Sequence, residues 1–274
     1  MNHNSTHIQA IEAAWGNHSL LKEPATQNAI REVIYDLDTG KTRIAMPTNS
    51  GWQINEWAKK AISLYFMIQE MQVLEVGPCT YYDKIPLKQN FKELNVRVVP
   101  PAVARYGTCL REGAILMASY VNIGAYIDSN TMVDIGAVVG SCAQIGKNVH
   151  ISGGAVIGGV LEPPQAQPVI IEDGVFIGAG CAVVEGVIVE KEAVLGANVT
   201  LTMSTRILDV TADEPQTYKG HIPPQSVVIP GSYPKHFPGG TYHVPCALII
   251  GKRTSNTDAK VSLNEALRTH HLQP

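Results

Sequence analysis

From Val103 to Ile207 an aliphatic side chain returns at every sixth residue. Ile115, Val121, Ile127, Val133, Val139, Ile145, Ile151 and Ile157 keep strict spacing. The phase slips by two across a Pro-rich insert and resumes at Ile171, Ile177, Val183, Val189, Leu195, Leu201 and Ile207. Val103 and Cys109 extend the series backwards, with Cys109 its one non-aliphatic member. Eight such residues in a row arise by chance roughly once in 10^5 starts at this composition, so the repeat is real.

A period of six fits neither a helical face nor a simple half-buried strand. It fits one short strand plus one corner, with a single dominant inward residue per unit. The fourth residue after almost every aliphatic is small or β-branched, as at Ala125, Thr131, Ala137, Ala143 and Ala155, which suits a tight corner that also faces inward. Gly often follows the aliphatic, at Gly140, Gly146, Gly158, Gly178 and Gly196, where tolerance of unusual backbone angles is expected to be its use. Three units close a triangular coil. Coils stacked at about 4.8 Å make a parallel β-helix with aliphatic ladders down its axis. The hexads resemble those of the hexapeptide-repeat acyltransferases, and that resemblance implies a left-handed coil. Periodicity alone does not, since crossover connections are normally right-handed.

The 274 residues suffice for a sizeable core and more than one domain. Net charge is −3, so nothing calls for nucleic acid or an anionic membrane. The sequence has no apolar run of membrane-spanning length, and Met1 to Thr6 lacks the layout of a signal peptide. Five cysteines with no Cys-x-x-Cys pair suit reduced, buried thiols in a cytoplasmic protein.

We read residues 1–95 as an N-terminal helical domain. Helical spacing covers residues 6–39, ended by Gly40, and 54–68, ended by Gly77-Pro78, with a short strand near Arg43 to Ala45. Residues 96–210 form the β-helix, with a loop insert over 158–170 carrying Pro163, Pro164 and Pro168. Such a loop either carries function or is a tolerated surface insertion. Residues 211–274 form a small C-terminal α+β cap: a long polar loop to about residue 226, two paired strands at Val227–Ile229 and Cys246–Ile250, and a helix from Val261 to His270. The chain is therefore mainly β, with helices confined to its ends.

Fold leaves function open. An acyltransferase, a metal enzyme and a non-catalytic scaffold can all be built on such a coil. Between Val103 and Ile207 there is one histidine, His150, and one imidazole cannot make a three-ligand metal site. No metal is expected. His150 itself reads either as a general base or as a corner residue bonded to nearby backbone.

Read together, several segments are more specific than the hexads. They are Asn95 to Pro101 with Arg97, Ser119 to Tyr126, Thr131 to Asp134, Val139 to His150, the insert Gly158 to Ala166, and Ile170 to Asp173. They resemble the 2,3,4,5-tetrahydropyridine-2,6-dicarboxylate N-succinyltransferases of bacterial lysine biosynthesis, over nearly the whole chain. The resemblance implies transfer of succinyl from succinyl-CoA, a cosubstrate, to the amine of the ring-opened dicarboxylate. It implies no permanently bound cofactor, and a homotrimer with active sites between neighbouring coils. It places the family's substrate-binding arginine on Arg97 and its substrate-binding aspartate on Asp134. Asp134 is also the candidate base. Guanidinium suits a carboxylate of the substrate and a carboxylate suits its ammonium. On the residues alone, Arg97 is equally a surface arginine and Asp134 equally a corner carboxylate.

One departure stands out. Many family members carry Arg-Ser-Glu where this chain has Gly180-Cys181-Ala182, so a carboxylate is missing at Ala182. Glu185 or a neighbouring chain is then the compensating candidate. For coenzyme A, backbone amides of the later coils and the 158–170 loop are candidates. Lys252 and Arg253 are either phosphate contacts or a solvated basic pair. An acetyl-CoA-dependent N-acetyltransferase and a trimeric scaffold remain alternatives.

Overall fold

The computed structural model describes residues 3–49 and 51–254. Helices α1 (His3–Gly16), α2 (Pro24–Thr39) and α3 (Glu56–Ile68) form one cluster. Pro24 starts α2, where its missing N–H is no loss, and Gly40 ends it in the left-handed region at φ 75°. Ile30, Val33, Ile34 and Leu37 of α2 meet Ala58, Ala61, Ile62 and Leu64 of α3, all buried. Ile123 and Cys142, from two corners of the coil, complete this cluster and weld the helices to the β-helix. No described helix is long and apolar enough to cross a membrane.

The N-terminal region is not purely helical. It carries two antiparallel hairpins, Ala45–Thr48 with Gly51–Ile54 and Gln72–Val76 with Cys79–Asp83. Gly77-Pro78, expected to break a helix, is instead the turn of the second hairpin, since α3 has already ended at Ile68. The strand expected near Arg43 to Ala45 falls at Ala45–Thr48, in the first hairpin, whereas the second hairpin has no alternating buried face, so hydrophobic patterning could not announce it.

The repeat forms three parallel sheets of very short strands. The first sheet stacks Arg97–Val99, Ile115–Met117, Met132–Val133, His150–Ile151, Phe176–Ile177 and Val194–Leu195, then Ser226–Phe237. The second stacks Val103–Ala104, Tyr120–Val121, Val138–Val139, Val156–Ile157, Ala182–Val183 and Thr200–Leu201. The third stacks Cys109–Leu110, Tyr126–Ile127, Gln144–Ile145, Ile170–Ile171, Ile188–Val189 and His221–Ile222. The second residue of each two-residue strand points inward. Val121, Ile127, Val133, Val139, Ile145, Ile151 and Ile157 are fully buried. Each such side chain removed from water contributes about 1.5–3 kcal/mol before entropic costs.

The first turn departs from the sequence reading. Its inward residues are Ala104, Leu110 and Leu116, not Val103, Cys109 and Ile115. Pairing shows the slip: Ala104 lies on Val121, Leu110 on Ile127 and Leu116 on Val133. The corner after Leu116 is one residue short, and Ala118 takes φ 43° there. Cys109 therefore points outward and is covered by the helical cluster near Gly40.

The glycines after the inward residues also have another cause. Gly178 is not in the left-handed region, yet a Cβ there would stand 2.6 Å from Ala197 N in the next turn. The left-handed angles fall three residues after the inward side chain, at Asn130, Gly136, Asn148, Gly154, Gly180 and Asn198. Asn and Gly are the residues that tolerate them.

The coil also runs further than the hexads. His221–Ile222 and Ser226–Phe237 continue the third and first sheets above Ile188–Val189 and Val194–Leu195. Residues 211–226 thus contain strands rather than one long loop. Ser226–Phe237 and Gly240–Lys252 form a single long antiparallel hairpin in which Ile229 pairs with Leu248. The helix expected over 261–270 lies outside the described residues.

Candidate active site

Asp134 and Arg97 sit on the outer face of the first sheet. Alternation along a strand explains this: Val133 faces inward, so Met132 and Asp134 on either side face outward. Arg97 pairs with Ile115, which pairs with Met132. Arg97 is thus two strands, about 10 Å, from the level of Asp134. Its side chain is exposed above a 320 Å³ depression walled by Phe91, Lys92, Asn95 and Val96.

Asp134 has one oxygen engaged and one turned to the next strand. The Ile135 amide donates to Oδ1 at 2.7 Å, an Asx-type bond that fixes the carboxylate at the corner. Oδ2 lies 3.7 Å from His150 Nε2. The His150 side chain is 9% exposed against 33% for Asp134, so the carboxylate stands in front of the imidazole. Phe176, one strand further, stacks on the imidazole with centroids 5.2 Å apart and planes at 16°. One sheet face thus holds a guanidinium, a carboxylate and an aromatic-backed imidazole.

Other candidates lie apart from this face. Ala182 is on the outer row of the second sheet and offers no polar atom. Glu185 stands at the corner between the second and third sheets and accepts from the Met203 amide at 3.1 Å. Within one chain it belongs to a different corner from Asp134. Lys252 Nζ donates to Pro224 O at 2.8 Å, and Arg253 Nη1 donates to Gly174 O at 2.6 Å. Those bonds tie the pair to neighbouring backbone at the end of the C-terminal hairpin, with Lys252 exposed and Arg253 half-buried.

The insert packs back on α3. Lys59 is fully buried, and its Nζ donates to Ala166 O at 2.8 Å and Pro163 O at 3.2 Å. Burial lowers its pKa, with only Cys142 and Glu56 opposing. Leu161 joins the helical cluster. The helical spacing of α3 gave no hint of this, because a lysine next to apolar neighbours reads as solvent-facing.

A second concavity of 580 Å³ lies where the hairpin Ala45–Ile54 meets the third sheet. Arg43 stacks on Tyr126 at 3.7 Å and its Nε donates to Gln144 Oε1 at 3.1 Å. Trp52 Nε1 donates to Glu172 Oε1 at 3.1 Å. These contacts join the hairpin to the coil on a different sheet from Asp134. All five cysteines are free, with Cys79 exposed rather than buried. Burial pushes the thiol pKa up to about 11 at Cys109 and about 12 at Cys142.

The three-sheeted hexad coil is a hexapeptide-repeat fold, and the relatives of this chain place it among the acyltransferases built on it. Residues 168–203 match the family model for the hexapeptide repeat of succinyl-transferase, and residues 7–68 match that for the tetrahydrodipicolinate N-succinyltransferase N-terminal region. The chain is 49% identical over 248 residues to the 2,3,4,5-tetrahydropyridine-2,6-dicarboxylate N-succinyltransferase of Acinetobacter baylyi, covering 88% of this chain and 89% of that one. It is 45% identical over 271 residues to the enzyme of the same name from Sodalis glossinidius, covering 95% and 97%. The chain belongs to the 2,3,4,5-tetrahydropyridine-2,6-dicarboxylate N-succinyltransferase family. A solved Campylobacter jejuni structure, named for N-succinyl transfer to tetrahydropyridine-2-carboxylate, shares the fold. Its TM-score is 0.55 at 18% identity, covering 81% of this chain and 62% of that one. The coil is the left-handed one.

Proposed function

We propose that Arg97 and Asp134 hold the amine substrate of this succinyltransferase. The enzyme moves the succinyl group of succinyl-CoA to the amine of ring-opened tetrahydrodipicolinate, giving N-succinyl-2-amino-6-oxopimelate and CoA. A C–N bond forms, the thioester C–S bond breaks, and the thiolate leaves with a proton. One observation carries the assignment. The register places a guanidinium and a carboxylate on one outer sheet face, about 10 Å apart along the coil axis, the separation at which two side chains can reach opposite parts of a small amino dicarboxylate. Arg97 binds a carboxylate as a two-toothed clamp. Asp134 holds the ammonium beside the thioester and receives the proton as nitrogen attacks.

In this reading the pantetheine lies along the groove between two coils and succinyl-CoA enters and leaves each cycle. The assembly is a homotrimer, whose closed threefold ring buries one face of each coil. The outer row of the second sheet supports this. Tyr120 and Val138 lie on it half-buried, Val156 is 41% exposed, and nearby Ile135 is 64% exposed. The enzyme works in the cytoplasm, a reading supported by five free thiols.

The test is thiol release from succinyl-CoA and from acetyl-CoA, with L-2-aminopimelate as the stable amine. Amine-dependent release with succinyl-CoA, lost in Asp134→Ala and Arg97→Ala, is expected. Acetyl-CoA as the preferred donor, or full activity in either variant, overturns the assignment.

A further inference from the structure

We propose that His150 is a positioning residue for acyl transfer, acting through Asp134 as the store for the proton that the amine gives up. This rests on the placement of the substrate amine at Asp134.

The proton to be stored is the one that leaves nitrogen as the C–N bond forms, and a carboxylate is a weaker base than an imidazole for keeping it. A neutral imidazole is the better store, with an unperturbed pKa of about 6.5. In this chain the imbalance is sharper, because Ala182 supplies no second carboxylate. The structure puts an imidazole directly behind the carboxylate. Asp134 Oδ1 is tied to the Ile135 amide, so Oδ2 is the oxygen aimed at His150 Nε2, 3.7 Å away. That is about 1 Å beyond hydrogen-bond length, a gap that catalytic pairs commonly close when substrate binds.

The ring cannot simply turn away. Its strand neighbours on the same outer row are Met132 below and Phe176 above, and Phe176 stacks flat against it. Stacking and burial hold the edge of the ring toward the corner where Asp134 stands. The other charged groups of the flanking turns sit at the opposite corner, before these strands. Asp173 accepts from the Lys147 amide, Asp128 accepts from the Ser129 amide, and Glu172 accepts from Trp52 and the Lys191 amide. Arg97 lies three strands below on the same row, about 14 Å away. Among the described residues, Asp134 Oδ2 is a charged atom facing Nε2, 3.7 Å away.

The proton path balances. The ammonium first loses one proton to solvent, and the neutral amine attacks the thioester carbonyl. As the C–N bond forms, nitrogen gives its second proton to Asp134 Oδ2, which passes it to His150 Nε2. When the C–S bond breaks, the imidazolium returns that proton through Asp134 to the departing thiolate. The products are an amide and a thiol, and both side chains are restored. Because the imidazole must be neutral to accept, transfer is lost where acid protonates it.

Three variants in the intact enzyme test this: His150→Phe, His150→Gln and Asp134→Asn, assayed with succinyl-CoA and L-2-aminopimelate. His150→Phe keeps the stack on Phe176 and removes the nitrogen. A loss in kcat of roughly 10²-fold, with KM for the amine little changed and the imidazole limb gone from the pH profile, is expected. His150→Gln behaves the same way and stands in if the phenylalanine variant does not assemble. Both variants retaining kcat within about threefold, with the profile unchanged, overturn the role of His150. Asp134→Asn separates the two readings. If it is inactive while the His150 variants are active, the proposal for His150 alone fails. If it is active, the placement of the amine fails and the proposal with it.

Discussion

The inward and outward faces of the same strands obey different rules. Inward, Val133, Ile151 and Ile177 lie one above another in the first sheet and differ only by methyl groups. Outward, the side chains beside them are Met132, Asp134, His150 and Phe176, and no two are alike. The ladder must repeat because every turn closes around the same narrow axis. The outer row is free of that demand, so chemistry accumulates there. In a solenoid, then, the repeat identifies the fold and the departures from it identify the site.

A pair of substitutions breaks this comparison most sharply. Asp134→Asn lies a third exposed at a corner and is expected to change stability by no more than about 0.5 kcal/mol while activity falls by at least 10²-fold. Ile145→Ala, fully buried between Ile127 and Ile171, is expected to cost about 2–5 kcal/mol in thermal or denaturant unfolding. Its kcat below the unfolding transition stays at the parent value. Were Asp134→Asn to lose stability and Ile145→Ala to lose kcat, the division between faces would be wrong.

The first turn sharpens the comparison, because there the two readings name different residues. Leu110 is the inward residue and packs on Ile127, while Cys109 faces the helices. Leu110→Ala is expected to cost about 2–5 kcal/mol and Cys109→Ala less than about 1.5 kcal/mol. Equal costs, or the reverse order, would restore the frame that spacing alone suggested.

That frame error shows how far a sequence of this kind can be read. Four full turns, from Val121 to Leu195, follow the hexads because each buried aliphatic sits on another, while Ile207 leaves the third sheet, whose next rung above Val189 is Ile222. The first turn slips because a corner after Leu116 is one residue short, and Val103, Cys109 and Ile115 happen to be apolar too. A correct signal was present: Gly107 and Gly113 take positive φ three residues after Ala104 and Leu110, as Gly136 does after Val133. Arg97 and Asp134 stand out as candidates in the sequence only through family resemblance, since an exposed arginine and a corner aspartate look ordinary. The pairing of Asp134 with His150 was not legible. The two lie sixteen positions apart, and only the stacking of turns, each about eighteen residues, brings them together.

The glycines supply the smallest effect and the finest test. Gly178 and Gly196 occupy the same corner in successive turns. A Cβ on Gly178 would stand 2.6 Å from the backbone atoms Ala197 N and Gly196 C, which cannot swing aside as a side-chain tip can. Above Gly196 the chain opens into the C-terminal hairpin, and a Cβ there would meet Val228 O at 3.2 Å and Ile229 Cγ2 at 3.6 Å. Neither glycine needs a left-handed backbone, so the substitutions read spacing between turns rather than torsional strain. Gly178→Ala is expected to cost about 1–3 kcal/mol, the usual penalty for overpacking, and Gly196→Ala less than 1 kcal/mol by about the same reasoning. Denaturant midpoints of the two variants measure the difference. If they coincide, turn spacing is not what selects glycine at this corner, and the outward face has more freedom than its crowding implies.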